Sequence, residues 1–431
     1  MESGPLRARL SVLMFVQYMG IGAWAVPVAT FLLASPAQGG LNFSPSQTSW
    51  IYSASAFVGL VAPLMLGLLA DRLFAAEKVL GVLQFGGAAI MFFAGEYCRQ
   101  RQLVLRTAVD LAFETRETFN TLFLFMLANA VVMVLTIALG NVISFRNLKN
   151  PKKYFGSIRL FGTVSWIVVN IGLDVLGSPY SVQPFYLSAI CSLIAGIYAF
   201  TLPHTPPTGH GKSFGEAMGL PALGMFRHSG FRVLIISAMC MAAIQQFYSV
   251  YTNPFLKSLG AGKPTALQTI SQFSEVACML LFPLALSRFG MKWTLGVGIF
   301  GWVVRNAIFA SGSLGFISAI GLPLHGMCYT FFFIVANVYV DRQAPSDLRA
   351  SAQGIFTFIS SGVGTLIGNF ASARVLQDMR DGGDVEWTLF WLIPCVSALM
   401  VFLFFVIFYT EKSPLTEPAR PIEHLAPNPV S

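Results

Sequence analysis

The stretch Leu267–Leu286, LQTISQFSEVACMLLFPLAL, decides the fold class of this chain. It has the ~20 apolar residues that a helix needs to cross a bilayer. Gln272 and Glu275 lie in its middle, although a charge at the centre of a bilayer costs at least ~2.5 kcal/mol. Positions i and i+3 share a helix face, so both side chains point the same way. Such a carboxylate indicates a site for a substrate or a proton; the alternative is a structural ion pair with Arg305 on the next apolar stretch.

The composition is that of a membrane protein. Of the 431 residues, 55% are hydrophobic and 11% are charged, whereas about 25% of the residues in a soluble protein are charged. The net charge of +8 follows from basic residues in short loops beside the membrane and does not indicate nucleic-acid binding. The six cysteines show no paired spacing, so the sequence predicts neither disulfides nor a metal site. No cofactor is expected.

Twelve apolar stretches predict an all-α polytopic membrane protein with twelve transmembrane helices in two six-helix halves. The longest hydrophilic segment between them, 204–230, contains several prolines and glycines and is predicted to be a cytoplasmic linker. The halves are then 1–203 and 231–410, and the proline-rich tail 411–431 is predicted to be disordered. The stretches, called spans one to twelve below, are 10–33, 48–70, 79–97, 119–145, 156–178, 184–203, 231–255, 266–287, 293–312, 315–340, 351–373 and 387–410.

The basic residues predict the orientation of the chain. Twelve spans place both termini on one side, and most Lys and Arg residues lie in loops on that side, so the positive-inside rule puts both termini in the cytoplasm. The segment 99–117 is basic yet falls outside, where Asp110, Glu114 and Glu117 interleave with its arginines; it is treated as a local exception. The first apolar run is too long for a cleaved signal peptide and is predicted to be span one.

A loop signature follows span two, which ends in GLLADRL at residues 67–73. It resembles the major facilitator superfamily, whose cytoplasmic loop between spans two and three carries G-x-L-a-D-R-x-G-R-K. Gly67, Asp71 and Arg72 match this pattern and are predicted to form a gating loop, although a solvated charged turn is the alternative. A degenerate copy, SRFGMK at 287–292, ends span eight. The resemblance implies alternating access around a site near the bilayer midplane, between the two halves.

Span five carries polar residues on one helix face. Arg159, Thr163 and Trp166 follow at i, i+4 and i+7, which indicates that they face a common site. Arg159 follows a basic loop, so a side chain that reaches back to the membrane interface is an equal alternative. Thr163 beside Gly162 could instead serve close helix packing.

Spans seven and ten carry the other candidates. Gln245 and Gln246 are adjacent and point in different directions, so at least one is expected to face a cavity, together with Ser249. His325 and Tyr329 are at i and i+4, and His325 can titrate near neutral pH. Together with span eight this set suits a polar, neutral solute with hydroxyls and a flat ring, and not a multiply anionic one.

Three stretches resemble the bacterial nucleoside:proton symporters of the major facilitator superfamily: SIRLFGT at 157–163, SQFSE at 271–275 and LRASAQG at 348–354. The resemblance extends from Gln17 to about residue 410. It implies proton-driven uptake of purine and pyrimidine nucleosides across the inner membrane by a monomer embedded in the lipid bilayer. The substrate-binding residues predicted from the resemblance and the faces above are Arg159, Thr163, Trp166, Gln246, Ser249, Gln272, Glu275, His325 and Tyr329.

Several positions depart from the family pattern. Trp166 and Tyr329 stand where the family has phenylalanine, Ser249 where it has asparagine, and His325 where it has tyrosine. Thr330 stands where the characterised symporters carry an aspartate suited to proton coupling. Glu275 and His325 are therefore the proton-coupling candidates, and uncoupled facilitated diffusion stays open.

Three other functions are weighed against this one. The same fold could carry another polar solute, such as a sugar or a drug-like export substrate. A membrane-embedded enzyme is disfavoured because the sequence lacks H-E-x-x-H, a G-x-S-x-G with plausible partners and paired aspartates within spans. A sensor with a degenerate transporter fold remains because of Thr330.

Overall fold

The computed structural model describes residues 4–68, 74–177, 181–207, 220–345, 348–381 and 384–410. These residues are almost entirely helical, and each of the twelve predicted stretches overlaps a helix. Within them, nine helices are long and apolar enough to cross a bilayer, and one of these, Pro264–Ala310, contains both span eight and span nine. The all-α polytopic fold class is confirmed.

The first six spans are built from seven helices. Span one consists of Gly4–Ala25 and a short continuation, and the segment that follows it contains the 3-10 turn Pro36–Gln38. The helices of spans three and four extend well beyond their apolar parts. In chain order the bounds are Gly4–Ala25, Val28–Leu33, Pro45–Leu68, Ala76–Thr107, Leu111–Asn147, Pro151–Leu176 and Gln183–Ala199.

The last six spans include π-helical segments. They lie in span ten, at Ile317–Gly321 and Thr330–Ile334, and in span eleven, at Phe358–Gly364. Such segments occur frequently at functional sites. The α-helices are Ser229–Ser258, Pro264–Ala310, Leu314–Phe316, Leu324–Tyr329, Val335–Gln343, Arg349–Thr357, Thr365–Asp378 and Trp387–Phe408.

Two connections in the C-terminal part of the chain contain secondary structure of their own. Part of the predicted linker is the 3-10 helix Leu220–Arg227, whereas its residues 208–219 lie outside the described part. A two-stranded antiparallel hairpin, Arg380–Asp381 with Asp384–Val385, joins spans eleven and twelve. The predicted tail 411–431 lies outside the described residues.

Gly290 separates spans eight and nine. It has φ 71° and ψ 177° inside the otherwise continuous helix Pro264–Ala310, a conformation essentially confined to glycine. The break falls in the second copy of the loop signature. In the first copy, Gly67 lies in the last turn of the span-two helix, whereas Asp71 and Arg72 lie outside the described residues.

The basic segment 99–117 contains internal ion pairs. It lies on the helical extensions of spans three and four, where Arg99 pairs with Glu96 and Arg101 pairs with Glu114. These contacts place acidic groups beside two of the arginines that depart from the charge rule.

Among the described residues, three helix pairs join the halves. Span five packs against span eight, span two against span eleven, and the short continuation of span one against span seven. Each half also has its own apolar core. A further cluster extends across the boundary, with Ala29 of span one buried among residues of spans seven, nine and twelve such as Phe247, Phe309 and Trp391. The two halves therefore each have an apolar core and share one further cluster at their boundary.

Candidate functional site

A cavity of about 330 Å³ lies between the two halves, within the ~300–1,000 Å³ typical of small-molecule sites. Spans one, two and five form one side, and spans seven, eight and ten form the other. The residues that line it are Tyr18, Ala25, Val26, Tyr52, Arg159, Gly162, Thr163, Trp166, Gln245, Tyr248, Ser249, Gln268, Gln272, Glu275, His325 and Tyr329.

Span eight supplies three polar residues to the cavity. Gln268, Gln272 and Glu275 are at i, i+4 and i+7 and line it from one helix face. Within the part of the chain that the structure describes, the Oε1 atom of Gln272 and the Nε2 atom of Gln268 are buried without a hydrogen-bond partner. Among the described residues, the carboxylate of Glu275 has neither a hydrogen bond nor an ion pair. Buried polar groups are normally satisfied, so this face has hydrogen-bonding capacity left for a solute.

Backbone contacts fix span eight against span ten. Ser274 Oγ accepts a hydrogen bond from the backbone N–H of Gly326 over 2.9 Å, and Ser271 Oγ donates to the carbonyl oxygen of Leu322 over 3.1 Å. A Cβ atom at Gly326 would overlap the backbone of Ser274 and Glu275. Glycine therefore permits the close approach that places Glu275 on the same wall as the rings of span ten.

Arg305 lies fully buried behind this wall. Its Nη1 atom is 2.9 Å from Nδ1 of His325, and its guanidinium lies over the ring of Tyr248, 4.3 Å from the centroid. Its Nη2 atom makes a long contact of 3.5 Å with Oε1 of Gln245. No carboxylate in the described part of the chain is within ion-pair distance of it. The Glu275–Arg305 ion pair considered from the sequence is therefore not formed.

On span five, Arg159 lines the cavity. Its guanidinium lies 3.8 Å from the centroid of the Tyr18 ring, which is cation–π geometry. Trp166 packs against Gly22 of span one, where a Cβ atom would approach the indole to 3.1 Å. Arg159, Thr163 and Trp166 thus line the cavity from one face, as the spacing predicts.

The cavity brings together eight of the nine predicted substrate-binding residues. The ninth, Gln246, donates from Nε2 to the carbonyl oxygen of Ala242 over 3.2 Å and does not line the cavity. Its neighbour Gln245 does. The sequence indicated that at least one of the two would face a cavity, and the structure places Gln245 there.

Sequence reasoning missed Gln268 and Tyr52. Gln268 lies one helical turn before Gln272, so the spacing could have found it. Tyr52 donates from Oη to the carbonyl oxygen of Ala25 over 2.9 Å and accepts from the N–H of Ala29 over 3.2 Å. It is fixed at the junction of spans one and two, and a lone tyrosine gives no sequence signal for that position.

Thr330 lies outside the cavity lining. It is fully buried, and its Oγ1 atom has no hydrogen-bond partner among the described residues. The position at which the family resemblance predicts an acid thus carries a buried hydroxyl inside the C-terminal half.

Hydrogen bonds join the halves at the helix ends that lie opposite the N-terminus, called the outer ends below. Thr30 Oγ1 donates to Asn253 Oδ1 over 2.6 Å. The backbone N–H of Ala266 donates to Asp174 Oδ2, also over 2.6 Å. Spans two and eleven are bonded at the same level by Asn369. The two halves are thus in direct polar contact on that side.

Further from the outer ends, spans two and eleven are separated by a gap of about 390 Å³. Its lining includes Ser55 and Gly59 of span two, and Gln353 and Thr357 of span eleven. The interface between the halves is therefore tight at the outer ends and looser towards the other side of the membrane.

Two six-helix bodies around a polar cavity define a membrane transporter of the alternating-access class. The chain matches the family described as Nucleoside H+ symporter over residues 5–413. It belongs to that family, and its relatives are transporters and not enzymes.

Similar proteins cover almost the whole chain. It is 32% identical over 425 residues to the putative nucleoside transporter YegT of Escherichia coli K12, covering 94% of each chain. It is 28% identical over 437 residues to the xanthosine permease of the same organism, covering 96% of this chain and 99% of the permease. The crystal structure of the nucleoside transporter NupG superposes with a TM-score of 0.81 at 26% identity, covering 94% of this chain and 100% of that one. The major facilitator fold is confirmed.

Proposed function

We propose that this protein carries nucleosides across the inner membrane together with protons, with both termini in the cytoplasm. The family and the named activities of its relatives support the substrate class. The observation that carries the proposal is the cavity between the halves, in which a carboxylate without a partner, amide groups and aromatic rings converge. These are the groups that ribose hydroxyls and a flat heteroaromatic base require.

Hydrogen-bonding groups of span eight and aromatic rings on the two sides of the cavity are proposed to hold the nucleoside. Glu275 accepts hydrogen bonds from ribose hydroxyls, and Gln272 and Gln268 complete the polar contacts of ribose or base. Trp166 and Tyr329, on opposite sides of the cavity, pack on the base. Support comes from the unpartnered amide atoms of span eight, whose burial is costly until a solute satisfies them.

Glu275 is proposed as the proton carrier. Its carboxylate faces the cavity and has no hydrogen bond or ion pair within the described residues, so a proton can neutralise it without breaking a contact. His325 is less suited, because one of its ring nitrogens is held by the Arg305 guanidinium. Thr330 cannot carry a proton at neutral pH.

Transport requires the outer contacts to break while the opposite side closes. The gating loop of Gly67, Asp71 and Arg72 remains a proposal for the side opposite the outer ends. The protein is proposed to act as a monomer in the lipid bilayer, with 1–203 and 231–410 moving as the two bodies and 204–230 as their linker.

Uptake of labelled uridine and inosine tests the proposal in cells that lack their own nucleoside transporters, with and without a protonophore. We expect accumulation that collapses with the protonophore. Accumulation that persists without the proton gradient would exclude proton coupling, and equal concentrations inside and outside would indicate an uncoupled facilitator. Absence of uptake of either nucleoside, with the protein present in the membrane, would overturn the substrate class.

A further inference from the structure

We propose that buried Arg305 fixes the direction of the hydrogen bonds made by His325, Gln245 and Ser249 in one cavity wall, so that His325 and Ser249 turn an imidazole N–H and a hydroxyl proton towards the base. The site then prefers nucleosides whose base carries a carbonyl oxygen at that wall to those that carry an amino group there. This inference rests on the proposed function, because it names which nucleosides the same cavity selects.

The contact with Arg305 fixes the tautomer of His325. A guanidinium has five N–H donors and no acceptor, so the 2.9 Å contact between Arg305 Nη1 and His325 Nδ1 requires an unprotonated Nδ1 atom. A proton on Nδ1 would remove this hydrogen bond and place a second positive charge beside the guanidinium. The imidazole is therefore neutral, and its proton is on Nε2. Since His325 lines the cavity, the free group of the ring is an N–H donor.

Contacts with Trp302 and Arg305 fix the orientation of the Gln245 amide. Its oxygen is 3.2 Å from Trp302 Nε1 and 3.5 Å from Arg305 Nη2. Indole and guanidinium are both donors only, so the amide oxygen must be the atom that faces them. The amide nitrogen is then turned away and donates to Ser249 Oγ over 3.3 Å.

The hydrogen bond from Gln245 orients the hydroxyl of Ser249. Because its oxygen accepts from Gln245, its own proton is left to donate elsewhere. Ser249 is exposed and lines the cavity. The chain of contacts from Arg305 therefore ends in a second donor, the Ser249 O–H group.

The neighbouring aromatic groups hold this arrangement in place. Tyr248 stacks on His325 with a centroid distance of 4.7 Å and an interplanar angle of 15°, and Arg305 lies over the Tyr248 ring. The Tyr248 hydroxyl lies 2.6 Å from Ser271 Oγ. Ser271 itself donates to the Leu322 carbonyl, so Tyr248 is the donor to Ser271. Its hydroxyl proton is thereby used within the protein.

Two donors on one wall select for acceptors on the base. A carbonyl oxygen has two lone pairs and accepts from such groups. An exocyclic amino group would place its own N–H atoms against the His325 N–H, which cannot accept, and would find at most the remaining lone pair of the Ser249 oxygen. At least one donor of the wall then stays unsatisfied, which is the costly case. Uridine should therefore be bound in preference to cytidine, and inosine in preference to adenosine. Each pair differs by an oxo-for-amino exchange on the ring.

Competition binding of inosine and adenosine to the purified full-length protein measures this preference. We expect the wild type to favour inosine about tenfold, which is the size of one or two net hydrogen bonds. Ser249→Ala should weaken the binding of inosine, because it removes one donor. Gln245→Glu should lower the ratio of inosine affinity to adenosine affinity, since the carboxylate pairs with Arg305 and its second oxygen accepts from Ser249, which leaves only the Ser249 oxygen, as an acceptor, for the base. Ser397→Ala, on span twelve and outside the lining of this cavity, is the matched control and should keep the wild-type ratio.

Ring-nitrogen NMR of histidine-labelled protein tests the tautomer without any nucleoside. The His325 signals are identified by their loss in His325→Gln. We expect a ring protonated at Nε2 only, unchanged as the pH falls from about 8 to about 5. A proton on Nδ1 in that range would overturn the inference, and so would equal affinities for inosine and adenosine in the wild type. Absence of binding of both nucleosides would overturn the proposed function and the base preference together. The NMR result would in that case still show whether His325 carries its proton on Nε2.

Discussion

The hydroxyl of Ser49 donates to the backbone carbonyl oxygen of Asn369 over 2.6 Å, which bonds the first turns of span two to span eleven in the other half. The side chain of Asn369 strengthens the contact by donating to Ser53 Oγ over 3.0 Å. Ser49, Ser53 and Asn369 are all buried, so water does not replace these bonds while the outer ends stay together. Opening of this side must therefore break them.

A disulfide across the outer ends should stop transport. Thr30 and Asn253 touch through their side chains over 2.6 Å, and Thr30→Cys with Asn253→Cys would hold spans one and seven together. We expect nucleoside uptake to be lost on oxidation and restored by a reductant, because the halves cannot separate while the bond exists.

The matched control for that experiment joins span four to the start of the linker, where the N–H of Thr205 is bonded to Glu77 of the same N-terminal half. Asn147 Nδ2 donates to Thr205 Oγ1 over 2.8 Å, so Asn147→Cys with Thr205→Cys joins residues that move together. Uptake should survive oxidation of this pair. Transport that continues with the Thr30–Asn253 pair fully cross-linked would contradict opening at the outer ends.

Replacement of Glu275 should separate coupling from binding. Glu275→Gln keeps the size of the side chain and one accepting oxygen but cannot carry a proton at neutral pH. We expect uptake against a gradient to disappear while exchange of internal for external nucleoside continues. The measurement is labelled uridine in proteoliposomes with and without a pH gradient. Accumulation at the wild-type level would exclude Glu275 as the carrier, and thermal unfolding shows whether the variant is folded.

Gly326→Ala should weaken the contact between spans eight and ten. The added methyl group meets the backbone of Ser274 and Glu275, and backbone shifts of this kind cost about 1–3 kcal/mol. We expect a lower melting temperature and weaker nucleoside binding, because Glu275 moves away from the span-ten wall. Gly172→Ala, at a position with open space around it, is the control and should change neither. Unaltered binding in Gly326→Ala would argue against the close approach.

Thr330→Val should be tolerated. The valine side chain has nearly the same volume and removes a buried hydroxyl that has no partner, which gains up to about 1 kcal/mol. We expect an equal or higher melting temperature and unchanged proton-driven uptake. A loss of coupling in this variant would return the position to the proton pathway.

The spans and most of the site could be predicted from the sequence because burial in lipid makes polar residues conspicuous. Glu275 and Gln272 stand out in an apolar stretch, and the i, i+4 and i+7 spacing of span five identifies a face directly. Both signals follow from the free-energy cost of a polar side chain in the bilayer and from the geometry of a single helix.

Contacts between helices could not be predicted in the same way. Gln245 and Gln246 are adjacent, and only the packing of span seven shows that Gln245 is the one in the cavity. Arg305 was considered as a partner of Glu275, but its guanidinium is bonded to His325 from span ten. Gly326 permits the close approach of spans eight and ten. A lone glycine in the sequence does not indicate which helix packs against it.

The hydrogen bond between Asp174 and the N–H of Ala266 lies at unequal distances from two residues that line the cavity. It joins the outer ends of the two helices that carry Arg159 and Glu275. At 1.5 Å of rise per residue, Arg159 lies about 22 Å from this contact and Glu275 about 13 Å. When the two helices rotate about it, Arg159 travels farther than Glu275. Rotation about this contact would accordingly widen the cavity more at Arg159 than at Glu275, as a consequence of helix length.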